Sequence, residues 1–241
     1  MKISFLILTW NRYKFLEQCL SNLLASIDDL SDCEIVIMDN GSTDATHDVL
    51  EKYKNHKSFR IIKLKKNYGI SSYKKLFREV KGKYAVIVDD DVLSFPQGLD
   101  KIFADYMTTY TDYGFVALNV IQNELTNGAK PGPEHYTDDV RGDKVIERGP
   151  TGGWCTCYRK SDYNKIKWRL YFAKMDMKMS EDGVLSSLLS IRLKLKAGLI
   201  KNAVCLHACG PYYAKEYGHL KREFEKYTAS GLPEFAERFK E

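Results

Sequence analysis

The chain predicts an α/β protein: a mostly parallel sheet flanked by helices, with a smaller region appended to it. Three observations carry this expectation. Over the first 120 residues, short β-branched apolar runs alternate with longer stretches whose apolar residues recur at helical spacing. One run, Ala85-Val86-Ile87-Val88, has no polar interruption and reads as a strand buried on both faces. It ends in three consecutive carboxylates, Asp89-Asp90-Asp91, at the place where α/β sheets bind ligands.

The elements follow in order. Ile3 to Thr9 reads as a strand, and Arg12 to Ile27 as a helix with a stripe of Phe15, Leu16, Cys19, Leu20, Leu23, Leu24 and Ile27. Glu34 to Met38 is a second strand. Thr43 to Asn55 is a helix entered through Gly41-Ser42-Thr43-Asp44, where Asp44 is the favoured cap. Phe59 to Leu64 is a third strand, Ser71 to Lys81 a helix closed by Gly82, and Tyr84 to Asp89 the fourth strand. A helix over Gln97 to Tyr110 and a strand over Gly114 to Asn119 complete the alternation, which implies parallel pairing through crossover helices.

From Val120 to Gly149 the pattern fails. Gly128, Pro131, Gly132 and Pro133 sit among charges, so the segment reads as a long surface excursion. Trp154 to Tyr158 is again a strand, Glu181 to Leu195 a helix, and Ala203 to His207 a last strand. Tyr213 to Tyr227 and Pro233 to Phe239 read as amphipathic helices. The expected organisation is thus 1–119 as one α/β half, 120–212 as a second half of the same domain, and 213–241 as terminal helices.

Composition supports a globular chain. Its 241 residues are 44% hydrophobic and 12% aromatic, enough to bury a sizeable core. No apolar stretch approaches the length of a membrane span, and Ile3 to Leu8 lacks the form of a signal peptide, so a cytoplasmic location, with peripheral association at the inner membrane face, is expected. The six cysteines form no CxxC pair and are expected to be reduced. Zinc held by Cys155, Cys157, Cys205, Cys209 and His207 matches no strong ligand spacing. The net charge of +5 is uneven: between Glu51 and Lys83, twelve Lys or Arg stand against two Glu, either a solvated face or a surface for an anionic partner.

Three adjacent carboxylates repel one another and need a cationic partner unless they are fully solvated. In an extended strand alternate residues point the same way, so Asp89 and Asp91 can share a ligand while Asp90 faces elsewhere. A solvated acidic turn is the bland alternative.

Thr9-Trp10-Asn11-Arg12 after the first strand, Met38-Asp39-Asn40-Gly41-Ser42-Thr43-Asp44 after the second, Asn67-Tyr68-Gly69 after the third and Asp89-Asp90-Asp91 after the fourth resemble the family 2 glycosyltransferases of the GT-A fold. Gly152-Gly153-Trp154, Glu181-Asp182 and His207 extend the resemblance over most of the chain. It implies a Rossmann-like GT-A sheet with an acceptor-side region, and transfer of a sugar from a nucleotide-sugar donor, a UDP-sugar favoured, to a glycan, lipid-linked or protein acceptor. A nucleic-acid acceptor is disfavoured. The chain lacks the QxxRW element of the processive members, which favours transfer of one sugar per encounter.

On this resemblance Thr9, Asn11 and Arg12 meet base and diphosphate, and Asp39, Asn40 and Ser42 read a uracil-like base, with helix capping as the competing role of Asp39. Asn67 and Gly69 begin a loop over the nucleotide, or a plain turn. Asp91 is the principal ligand of Mn²⁺ or Mg²⁺, Asp89 and His207 are further ligands, and Asp89 and Asp90 also face the ribose or the metal's waters. Asp182 is the general base of an inverting displacement, and Glu181 orients it or the acceptor; both also suit a helix first turn. Gly152 and Gly153 permit close approach of donor or acceptor, and Trp154 offers a stacking face or a core side chain.

Two other classes fit less well. A sugar-nucleotide nucleotidyltransferase expects a glycine-rich basic loop where this chain has Thr9-Trp10-Asn11-Arg12. A non-catalytic nucleotide-sugar or glycan-binding module gives no reason to keep Asp91, Asp182 and His207 together.

Overall fold

The computed structural model describes residues 2–126 and 130–240. The elements are β1 (Ile3–Thr9), α1 (Tyr13–Ser26), β2 (Cys33–Asp39), α2 (Thr46–Glu51), β3 (Phe59–Lys63), α3 (Tyr73–Leu76), β4 (Tyr84–Asp89), β5 (Val92–Ser94), α4 (Leu99–Thr109) and β6 (Tyr113–Val120). They continue with β7 (Thr137–Arg141), β8 (Lys144–Arg148), β9 (Cys155–Arg159), α5 (Lys160–Phe172), α6 (Glu181–Leu193), β10 (Lys196–His207), α7 (Pro211–Glu216), α8 (Leu220–Ala229) and α9 (Pro233–Glu237).

The strands form one mixed, mostly parallel sheet in the order β3-β2-β1-β4-β9-β6-β10-β8-β7, with β5 paired to β10. Strands β3, β2, β1 and β4 are parallel neighbours. β9 runs antiparallel to both β4 and β6, so β4 and β6 share a direction, and β10 is parallel to β6. Register brings Thr9 level with Asp39, and Leu8 level with Asp89, so the polar ends of three strands emerge along one edge.

Both faces of the sheet are buried, as the unbroken apolar runs require. Alternation assigns the faces: Phe5 and Ile7 of β1 pack in a core with Leu16, Leu20 and Leu23 of α1 and Phe103 of α4. Leu6, between them, packs on the opposite side with Leu76 of α3, Ile166 of α5 and Leu185 of α6. Burying each such side chain contributes about 1.5–3 kcal/mol.

The structure departs from the sequence expectation at several places. The excursion from 120 to 149 contains a hairpin, β7–β8, that turns at Gly142 with φ +64°. It lies at the sheet edge, its strands half exposed and charged, so alternation is muted. Gly128 lies outside the described residues. The expected helix over 71–81 is only α3 between 3₁₀ turns, and the one over 43–55 shortens to α2. β10 begins at Lys196 rather than Ala203, its polar Lys201-Asn202 falling where the register with β6 slips. The expected helix over 213–227 breaks at Gly218, with φ +75°, into α7 and α8. β5 and α5 have no counterpart in the expectation; only Asp162, Tyr163, Ile166 and Leu170 of α5 are buried, too few to mark a stripe. All six cysteines are free, and Cys209 alone among them is not buried.

Candidate active site

β4 ends at Asp89, the chain turns through Asp90 and Asp91, and β5 then pairs antiparallel with the end of β10, opposing Val92 to His207. The Ala208 N–H donates to the Asp91 carbonyl at 2.9 Å, fixing the crossing. His207 Nε2 consequently stands 3.2 Å from Asp91 Oδ1 and 3.6 Å from Asp89 Oδ2.

The other carboxylate oxygens are held by Arg12. Its guanidinium donates to Asp90 Oδ1 at 2.7 Å and to Asp91 Oδ2 at 2.8 Å, while Thr9 Oγ1 donates to Asp90 Oδ2 at 2.8 Å. Asp90 thus faces the end of β1, while Asp89 and Asp91 turn to His207. Burial opposes ionisation of Asp91, but Arg12 and His207 outweigh it and hold the carboxyl well below the usual range. Burial also disfavours a charged His207, yet Asp91 outweighs it and raises the imidazole well above its ordinary value. Burial pushes Asp89 upward, opposed by His207 and aided by Asp91; its Oδ1 accepts from Tyr73 Oη at 3.4 Å.

The group fits a divalent cation. Asp89, Asp91 and His207 each offer one ligand atom, and these atoms all lie within 4.8 Å of one another. Asp91 Oδ1 is buried and makes no hydrogen bond. Two carboxylate oxygens and one imidazole suit Mn²⁺ or Mg²⁺, which prefer hard donors. No cysteine belongs to a convergent ligand group among the described residues, so the zinc alternative does not assemble.

Two clefts meet at this point. The larger, about 1020 Å³, is lined by Thr9, Arg12, Asn40, Asn67, Gly69, Tyr73 and the acid triplet, and also by Lys174 to Lys178 and α8. The smaller, about 440 Å³, is lined by Gly152, Gly153, Trp154 and Asp182. Asp89, His207 and Cys209 border both.

On the smaller side, Asp182 Oδ2 accepts from the Gly153 N–H at 2.9 Å and its Oδ1 from the Gly183 N–H at 2.7 Å. The two glycines have packing reasons. A Cβ on Gly152 would lie 2.3 Å from the Trp154 ring, and one on Gly153 would lie 3.1 Å from Asp182 Cβ. Trp154 is buried, donates Nε1–H to the Leu118 carbonyl at 2.9 Å, and stacks against His207 with ring centroids 6.1 Å apart. Glu181 is buried beside the larger cleft; burial, then Asp89 and Asp182, push its pKa well above the usual range.

The end of β2 is arranged differently. Asn40 accepts from the Tyr68 N–H and Ser72 Oγ and donates to Asn67 Oδ1 and the Gly69 carbonyl, so it ties the 67–72 loop to the sheet. Asp39 is buried and accepts the Ser42 N–H at 2.9 Å. Asn11, with φ +51°, accepts from the Thr43 N–H and donates its own N–H to Ser42 Oγ. Asn11, Asp39 and Ser42 thus knit the turn that follows β2, beside Asn40, which lines the larger cleft.

Sequence reasoning missed a second charge cluster. Arg222 of α8 donates to the Trp10 carbonyl, and Glu223 pairs with Arg222, with Lys226 at 2.5 Å and with Arg12 at 3.7 Å. Burial opposes ionisation of Glu223, but Arg12, Lys226 and Arg222 bring it down to about 2. Of the three α8 charges only Glu223 is buried, and no local pattern in the sequence marks the cluster.

This sheet, with an acid triplet at a central strand end facing a histidine from a late strand, has the fold of the GT-A glycosyltransferases. Residues 4–183 match the family described as glycosyl transferase family 2, and the chain belongs to that family. The poly(ribitol-phosphate) beta-N-acetylglucosaminyltransferase TarS of Staphylococcus aureus is 28% identical over 93 residues, covering 38% of this chain and 16% of that one. A cholesterol galactosyltransferase of Borreliella burgdorferi is 34% identical over 91 residues, 37% of this chain and 25% of its own. The chain thus spans well under half the length of these relatives. Among solved structures, S. aureus TarS 1–349 with UDP-GlcNAc superposes with a TM-score of 0.67 at 16% identity, covering 95% of this chain and 66% of that chain. A Pyrobaculum calidifontis mannosyltransferase with GDP-Man and Mn²⁺ gives 0.66 at 14% identity, covering 99% and 69%.

Proposed function

We propose that the protein transfers one sugar from a nucleotide-sugar donor, a UDP-sugar, to an acceptor hydroxyl with inversion. The observation that carries this reading is the meeting of two clefts at Asp89 and His207, one suited to a donor and the other to an acceptor. UDP-GlcNAc in the staphylococcal neighbour supports the donor class, and Mn²⁺ in the mannosyltransferase supports the cation. Poly(ribitol-phosphate) and cholesterol, the acceptors named for two relatives, support a role in glycan or glycoconjugate synthesis.

Residues 1–119 would hold the nucleotide, 120–212 the acceptor and the base, and 213–241 would close over the donor. Asp89, Asp91 and His207 would hold Mn²⁺ or Mg²⁺, which when bound neutralises the charge developing on the leaving diphosphate. Arg12 holds Asp90 and Asp91 in place and favours the ionised form of Asp91. Arg222 and Lys226 add cationic charge to the wall of the larger cleft. Asp182, aimed by the Gly153 N–H, removes the acceptor proton. Glu181, beside Asp182 and on the wall of the larger cleft, orients the acceptor or the base.

The test is nucleoside diphosphate release from UDP-sugars with Mn²⁺, with and without acceptor, followed by the anomeric configuration of the product. Acceptor-dependent release with inverted configuration is expected. Pyrophosphate chemistry or binding without turnover would replace this reading with a nucleotidyltransferase or a binding module.

A further inference from the structure

Away from the two clefts, α5 presents a face that the transfer reaction does not use. Tyr163, Ile166 and Leu170 turn to the core. The opposite side carries Trp168, Tyr171 and Phe172, which are 66%, 43% and 78% exposed. Positions 168, 171 and 172 are helical neighbours, so the three rings form one projecting apolar ridge. Isolated exposed rings are ordinary; three together at a helix end are not.

The ridge is set in positive charge. A shallow cavity of about 280 Å³ beneath it is lined by Trp168 and Tyr171 together with Lys74, Arg78 and Lys167. Arg78 lies over the Tyr171 ring at 4.6 Å, and Lys74 Nζ donates to the Ala173 carbonyl at 2.5 Å. Lys74, Arg78 and Lys167 make no ion pair with a carboxylate among the described residues. Lys74 and Arg78 belong to the basic 51–83 segment, so part of that charge excess converges on the aromatic ridge. Beyond Phe172 the chain runs directly into Lys174 to Lys178, which line the larger cleft.

Aromatic rings projecting from a basic helix match the interface of an anionic bilayer, where rings enter the headgroup layer and Lys and Arg meet lipid phosphates. We propose that the α5 face docks the protein onto an anionic membrane surface, with Trp168 and Phe172 inserted and Lys74, Arg78 and Lys167 on the headgroups. A nucleic acid would use the charge but gives no reason for Trp168 and Phe172 to project farthest at a helix end. The proposal depends on no step of sugar transfer.

The test is co-sedimentation with phosphatidylcholine vesicles, with and without about 30% phosphatidylglycerol. The protein should bind the anionic vesicles, release with rising salt, and ignore the neutral ones. Trp168→Ala/Phe172→Ala should weaken binding about tenfold or more, and Arg78→Glu/Lys167→Glu should do the same. All four side chains are exposed, so thermal midpoints should stay at the wild-type value. Failure of the wild type to bind anionic vesicles overturns the proposal, as does undiminished binding by the folded aromatic variant. Dimerisation or polynucleotide binding lost in the same variants, without vesicle binding, also overturns it.

Discussion

His207 Nε2 lies 3.2 Å from Asp91 Oδ1, and the two residues are brought together by the pairing of β5 with the end of β10. Asp91 raises the His207 imidazole well above its ordinary value, and a bound cation would compete with that proton for the acids. Cation binding should therefore release a proton, and His207→Ala should abolish saturable Mn²⁺ binding measured by calorimetry. Equal Mn²⁺ affinity in wild type and variant would rule out the site.

Asp91 differs from a freely solvated strand-end acid because it is buried and paired with the half-buried Arg12. Asp91→Ala should therefore destabilise the fold by about 1.5–3 kcal/mol as well as lose the cation, since Arg12 loses one of its charged hydrogen bonds and keeps the one to Asp90. Urea unfolding checks the first effect and Mn²⁺ titration the second. A stability change within the range of a surface substitution would show that Arg12 is satisfied without Asp91.

Asp39 accepts one backbone N–H with Oδ1, which leaves Oδ2 for a base. A hydrogen bond to a charged group is worth about 1.5–3 kcal/mol, so Asp39→Ala should weaken uridine diphosphate binding about tenfold or more. Wild-type protein should prefer uridine to guanosine diphosphate. A calorimetric preference for guanosine diphosphate would remove both the donor class and this role of Asp39.

How much of this was legible depends on the distance over which each feature is written. The acid triplet, Glu181-Asp182 and His207 could be found because each sits where a local pattern ends, at a strand end or a helix start. The parallel half of the sheet was legible for the same reason. The Glu223 cluster was not, because its partners Arg12 and Trp10 lie about two hundred residues away and no local period records that pairing. The glycines at 152 and 153 were visible as glycines, but their neighbours, Trp154's own ring and Asp182, appear only in three dimensions. Helix α5 was hidden by Trp168 and Phe172 on the solvent side, where they blur the apolar stripe.

His219, the residue before α8, is buried with Nε2 unpaired, and burial, then Arg12 and Arg222, lower its pKa from 6.5 to about 4. Between those values the unfolded chain carries a proton that the folded one does not, so stability falls as pH drops from about 6.5 to about 4 and this contribution levels off below. Replacing the imidazole with an uncharged side chain, as in His219→Gln, should flatten that part of the stability profile. Parallel wild-type and variant curves over this window would show that His219 is free to protonate in the fold.

Asp182 separates chemistry from binding. Its Oδ2 takes the Gly153 N–H and its Oδ1 the Gly183 N–H, so the carboxylate is aimed by backbone rather than by a cation. Asp182→Asn keeps an oxygen for Gly153 and nearly the same shape but loses the basic carboxylate. A general base contributes about 10²–10⁴-fold, so kcat should fall by that order while donor affinity barely changes. If Asp182 served only as a helix first-turn residue, substitution would cost about 1 kcal/mol of stability and leave turnover per folded molecule intact. Measuring kcat and the thermal midpoint on the same variant distinguishes the two roles. Inversion supplies an independent check, because one base and one departing diphosphate on opposite sides of the anomeric carbon permit a single displacement. A product that retained the donor's configuration would exclude that mechanism even with the variant inactive.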